Sequence, residues 1–200
     1  MQFNAIVTLF AITMAAAWTP GPNNALLAGS GAKFGLRRTI PHALGVGFGF
    51  PAMVFIVAVF LAAAFQKSLV LQNVVRYGGA IMLLWVAWKI ASSGGLGKSS
   101  GPARPFKFHE AAAFQWVNPK AGVMAVALTS QFIDPAHIIK SSFFIAIISM
   151  ASSFSSAFGW AALGTSLRNF LSVGRRMRVF DISMGLIIAL GVIIILRESL

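Results

Sequence analysis

An all-α membrane protein of six transmembrane helices, the first and fourth of them broken and the two sets of three forming an inverted repeat, is the fold class this sequence predicts. Of its 200 residues, 58% are hydrophobic and only 10% charged, whereas a soluble domain carries about 25% charged residues. The mean hydropathy is +0.81. Six apolar stretches divide the chain, each near the ~20 residues that cross a ~30 Å hydrocarbon core. Prolines interrupt the first stretch at Thr19-Pro20-Gly21-Pro22-Asn23-Asn24 and the fourth at Asn118-Pro119-Lys120.

The stretches run from Asn4 to Ser30, Pro41 to Phe65, Val70 to Ser92, Glu110 to Ile133, Ile138 to Leu167 and Phe180 to Leu196. The first and fifth exceed what a perpendicular helix needs, so they should tilt, break or protrude. Arg76 and Lys89 sit near the ends of the third, and Asp181 and Arg197 bound the sixth; the basic side chains reach the interface by snorkelling. Ala15-Ala16-Ala17 has the small residues of a signal-peptide cleavage site. No Lys or Arg precedes it, however, and hydrophobicity resumes after Asn24, so this stretch reads as a retained span.

The formal charge of +12 comes from 16 Lys and Arg against 4 Asp and Glu. In a soluble chain that excess suggests nucleic acid, but here the basic residues sit in short connectors, which argues against a nucleic-acid partner. Lys33, Arg37 and Arg38 follow the first stretch. Lys89, Lys98, Arg104 and Lys107 surround the link between the third and fourth, and Arg168, Arg175, Arg176 and Arg178 follow the fifth. These three connectors are expected on the cytoplasmic side, with both termini outside. The chain reads as one domain, residues 1–200, with a first three-helix half at 1–92, a linker at 93–109 and a second half at 110–200. Gly97-Lys98-Ser99 in the linker echoes the end of a phosphate-binding loop, but Ser92 stands where the first glycine belongs and no strand precedes it, so it reads as a flexible linker. There are no cysteines, which removes disulfides, thiolate metal sites and cysteine nucleophiles.

The prolines carry the functional reading. They remove backbone donors and free amides and carbonyls that lipid cannot satisfy, so each break must line a cavity or pack against protein. Free amides at a positive helix end suit a carboxylate and free carbonyls suit an ammonium group. Together the breaks at Pro20, Gly21 and Pro22 and at Pro119 would serve a zwitterion; the bland alternative is kinks repaired by neighbouring helices. Asn23 and Asn24 offer uncharged amides pointing about 100° apart, so one faces a pathway and the other bonds between helices. Asn118 borders the second break.

Lys120 is a charge within an apolar stretch, where insertion costs at least ~2.5 kcal/mol. It faces a substrate carboxylate or snorkels to the boundary. Gly45, Gly47 and Gly49, with Gly78 and Gly79, read as close-packing positions, and they also permit a homodimer. Ser152, Ser153, Ser155 and Ser156 line a polar path or join helices. For proton coupling the titratable candidates are Asp134, Asp181 and His42, each near a span end. His42, His109 and His137 are scattered, and no ligand spacing points to a metal or cofactor.

Each half has three spans, an odd number, so the halves would enter the membrane in opposite directions. Trp18 precedes the first break as Trp116 precedes the second, and Arg76-Tyr77-Gly78-Gly79 opens the third stretch as Arg178-Val179-Phe180-Asp181 opens the sixth. Taken with Pro41-His42-Ala43-Leu44-Gly45-Val46-Gly47-Phe48-Gly49 and Gln131-Phe132-Ile133-Asp134-Pro135, the two proline motifs make the chain resemble the LysE/RhtB family of bacterial amino-acid exporters. Ser130 departs from that family, where a proline often precedes the Gln-Phe pair. The resemblance implies six spans, a multi-pass protein of the bacterial inner membrane, no enzymatic activity, and export of an amino acid or analogue coupled to proton entry. The alternatives are a non-transporting membrane assembly subunit and an intramembrane enzyme; the first gives no reason for paired breaks, and the second lacks a nucleophile with its base.

Overall fold

A computed structural model describes residues 3–19, 21–61, 104–134 and 136–171, with single positions at 70, 77, 81, 84, 88, 175, 176, 178, 179, 182, 183 and 186. Pro20, Asp181, most of the third and sixth apolar stretches and most of the linker lie outside the described residues. Among the described residues the chain forms helices and turns only. In order these are α1 (Phe3–Trp18), α2 (Pro22–Phe34), α3 (Leu36–Ile56), which continues as a π-helical turn over Val57–Leu61, α4 (Phe108–Val117), α5 (Pro119–Phe132), α6 (Ile138–Ser166) and the short α7 (Arg168–Leu171).

Helix α1 ends at Trp18 and α2 begins at Pro22, with a 55° bend between them. Pro22 takes the first helical position, where its missing N–H costs nothing and its fixed φ suits the helix. The fourth stretch divides in the same manner, Asn118 leaving the helical region at φ −82° and ψ 106° before Pro119 opens α5. Between α2 and α3 the chain turns at Gly35, whose φ of 81° favours glycine. Gly35 N–H bonds to Gly31 O at 2.9 Å. Helix α3 therefore starts at Leu36, five residues before the apolar boundary at Pro41, and carries Arg37 and Arg38 in its first turn. A helix can extend past the hydrocarbon edge into the interface, and the Gly35 turn rather than the hydropathy sets its start.

By length and composition two described helices are able to cross a membrane, Leu36–Phe60 and Ile138–Ser166, and three if the bent α1–α2 pair counts as one span. Phe10, Phe48, Phe60, Phe143 and Ile147 are exposed, the surface expected of helices bathed in acyl chains rather than water.

Helices α3 and α6 form the continuous scaffold, running antiparallel: Met53 and Val54 share a cluster with Ile145, and Ala43 and Val46 share one with Ala157 and Ala161, while Ser153 Oγ donates to Val46 O at 3.1 Å between them. The shorter helices divide between two buried clusters along that scaffold. One joins Leu9 of α1 and Ala121, Ala125 and Leu128 of α5 to Met53, Val54 and Ile145. The other joins Leu27 of α2 and Ala111 of α4 to Ala43, Val46, Ala157 and Ala161. Small residues allow the second cluster its close backbones: a Cβ at Gly45 would lie 2.3 Å from Phe108 O, and one at Gly49 2.6 Å from Ala112 Cα. These glycines serve packing, as expected.

Where the chain leaves the apolar segments, the described acids are paired. Arg104 meets Glu110 through two 2.7 Å bonds, and this holds the guanidinium pKa above its ordinary value. Asp134 accepts from the His137 ring and from Ala136 N–H, both at 3.0 Å; the His137 contact, then the backbone donor, lower its pKa.

Candidate functional site: a cavity between two helix breaks

Both breaks open onto one cavity of about 70 Å³, walled by α1, α2, α3, α4, α5 and α6. It lies near the midpoints of α3 and α6, at Val46 and Phe50 on one and Ser149, Ser152, Ser153 and Ser156 on the other. The depth follows from the sequence, since each proline break sits near the middle of its apolar stretch.

Two helices begin at this cavity. The first free amides of α2 belong to Asn23 and Asn24, and those of α5 to Lys120 and Ala121, because the preceding residue in each case is proline. Helix α1 ends there, so the Ala17 and Thr19 carbonyls come free. Asn24 repairs that end: its Nδ2 donates to Ala17 O at 2.8 Å and Thr19 O at 2.9 Å. Ser156 Oγ adds a 2.6 Å bond to Ala17 O, while Thr13 and Ser152 hydroxyls bond each other at 2.8 Å. Of the two asparagines, Asn24 is thus committed to the chain end.

Asn23 instead bridges to α4, donating to Gln115 Oε1 at 2.7 Å, with the return contact from Gln115 Nε2 at 3.4 Å. Lys120 reaches from α5 to α1, its Nζ 2.6 Å from Thr19 O. It borders the cavity. The bond uses one of three ammonium donors, and no carboxylate among the described residues lines the cavity. Gly21 makes room for this arrangement, since a Cβ there would lie 3.0 Å from Lys120 Cδ and 3.2 Å from Nζ.

Two buried polar atoms lining the cavity have no hydrogen-bond partner among the described residues: Asn118 Oδ1 and Ser149 Oγ. Burying a polar atom unpaired costs about 1–3 kcal/mol, so their placement asks for a polar occupant. Donors from Lys120 and the helix starts stand beside the unpartnered acceptor Asn118 Oδ1, the two kinds of partner a zwitterion uses.

The sequence profile of the LysE type translocator family matches residues 14–198. The chain belongs to that family. Among its relatives, the cysteine/O-acetylserine efflux protein of Escherichia coli (strain K12) is 30% identical over 177 residues, covering 84% of this chain and 86% of that protein. The protein of the same name in Salmonella typhimurium (strain LT2) is 29% identical over 178 residues, with the same coverage. No solved structure matches the chain. As a LysE type translocator it is a transporter, not an enzyme, and its break motifs now have a geometry.

Of the site residues expected from sequence, Gly21, Pro22, Asn23, Asn24, Asn118 and Lys120 border the cavity of this translocator. Pro119 supplies the break at the start of α5, and Pro20 lies outside the described residues. The two described coupling candidates, Asp134 and His42, do not line the cavity, and Asp181 lies outside the described residues. Asp134 is half exposed in the loop after α5. His42 is 2% exposed in α3, its ring 5.1 Å from Phe106 and both nitrogens without a partner among the described residues. Gln115 and Ser149 were missed. A glutamine three residues before Asn118 in an apolar stretch was the available signal for the first, whereas nothing distinguished Ser149 from the other serines of α6.

Proposed function

We propose that this LysE type translocator exports small zwitterionic amino acids from the bacterial cytoplasm across the inner membrane, driven by proton antiport. The observation that carries this reading is the cavity itself, where an ammonium without a carboxylate and the unpartnered Asn118 Oδ1 converge on two helix starts. Lys120 and the α2 and α5 amides receive the substrate carboxylate; Asn118 Oδ1 faces its ammonium group. Pro20, Gly21, Pro22 and Pro119 hold the breaks open, with Asn23 and Asn24 lining the path.

The size supports a small cargo. At about 10–15 Å³ per water-sized probe, 70 Å³ admits on the order of five such units. That is nearer to cysteine than to an aromatic amino acid, in keeping with the printed names of the relatives. The two halves, 1–92 and 110–200 about the linker 93–109, are read as an inverted repeat, a reading supported by the oppositely directed breaks. Proton entry belongs to His42, Asp134 or Asp181, and His42 alone of these is buried within a described helix.

Cells expressing the protein should tolerate raised levels of small amino acids such as cysteine or O-acetylserine, and unchanged sensitivity across a panel of amino acids would refute export. Replacing Asn118 by Leu should cut efflux about tenfold or more, the scale of one charge-assisted hydrogen bond. Ser149→Ala, which removes a neutral partner, should cost about two- to tenfold. Initial rates of efflux from preloaded cells, normalised to membrane abundance, check both.

A further inference from the structure

Two bonds between the paired break segments run in register. Thr19 pairs with Lys120, and four residues further along the first segment Asn23 pairs with Gln115, five residues back along the second segment. They are rungs between oppositely directed segments, one on each side of the paired breaks. The Lys120 rung joins α1 to α5, which share one apolar cluster. The Gln115 rung joins α2 to α4, which share the other, towards the end that carries Lys33, Arg37 and Arg38.

We propose that the Asn23–Gln115 amide pair is the gate on the basic, loading face of the cavity, and that Lys120–Thr19 is its counterpart on the release face. This rests on the export reading for direction only. The chemistry of the two rungs differs in a way that suits their order. An amide pair exchanges for water at little net change, so the loading rung opens readily; Gln115 stays placed because its Nε2 also donates to Ala111 O at 2.8 Å. The release rung is a cation on a neutral carbonyl. An incoming carboxylate is the stronger acceptor for Lys120 and draws the ammonium from Thr19, so loading unlatches the opposite face. Both rungs are made in this structure, the arrangement that falls between the two openings.

The absence of cysteine allows a direct test. Ala121→Cys, on the cavity wall, provides a sole thiol for a charged, membrane-impermeant maleimide applied to inside-out or right-side-out vesicles. Met124→Cys on the same wall replaces it if the first variant fails to insert. Adding Gln115→Ala or Asn23→Ala should raise labelling from the basic face about two- to tenfold, the net worth of a neutral hydrogen bond, and leave labelling from the other face unchanged. The exchange Asn23→Gln with Gln115→Asn rebuilds the pair and should restore the parent pattern. Labelling that is unchanged, or raised equally from both faces, would overturn the gate. If the labelling pattern holds while no amino acid is effluxed by the parent protein, the export reading fails and the gate stands.

Discussion

Lys120→Gln should lower efflux by about ten- to a hundredfold, the loss of one charge-assisted hydrogen bond of about 1.5–3 kcal/mol to the substrate. Glutamine removes the charge and keeps an uncharged N–H donor on a side chain one bond shorter. Membrane abundance should hold or rise, because a Lys within the hydrocarbon region costs at least ~2.5 kcal/mol on insertion scales. Falling transport with undiminished abundance separates a binding role from a structural one. A Lys120 that merely snorkelled would leave the efflux rate unchanged. Gly21→Ala should act on the same side chain from across the break. The atoms nearest its Cβ belong to the flexible end of Lys120, so the protein should fold normally while the ammonium is displaced.

The largest effect on stability is expected at Gly164. A Cβ there would lie 1.9 Å from Ala28 O, and one at Gly31 would lie 2.1 Å from Ala161 O. Both obstacles are backbone, so no side chain can swing away. Gly164→Leu should therefore force α2 from α6 at a cost of about 3 kcal/mol or more, and with it separate Asn24 from Ser156 and the end of α1. The measurement is the folded, monodisperse fraction after extraction in mild detergent, which should collapse. Gly29, on the same helix as Gly31, has nothing within 4 Å of its would-be Cβ. There Ala should be neutral or stabilising by up to about 1 kcal/mol through helix propensity. Equal loss at positions 164 and 29 would contradict the close approach.

These two predictions differ in how far the sequence foretold them. The breaks were legible because proline acts locally: it removes a donor and fixes φ wherever it stands, so Pro22 and Pro119 announce their helix starts. Lys120 was legible as a lone charge among apolar neighbours. What it touches was not, because its partner Thr19 lies 101 residues away, and the Asn23–Gln115 pair spans 92. Serines in α6 were ambiguous for a different reason: a helical hydroxyl can bond its own preceding turn, so sequence does not say that Ser156 reaches Ala17 while Ser149 is left facing the cavity. The start of α3 was misplaced because hydropathy marks where lipid ends, and the helix ends where Gly35 turns the chain.

Central to the account is recognition of a carboxylate in the cavity between the two breaks. It is tested most directly by competition in proteoliposomes, measuring how excess unlabelled cysteine or cysteamine, the same molecule without its carboxylate, suppresses exchange of labelled cysteine. The account predicts that cysteine competes and cysteamine does not, and that Lys120→Gln weakens competition by cysteine alone. Equal competition by both compounds in the parent protein would contradict it.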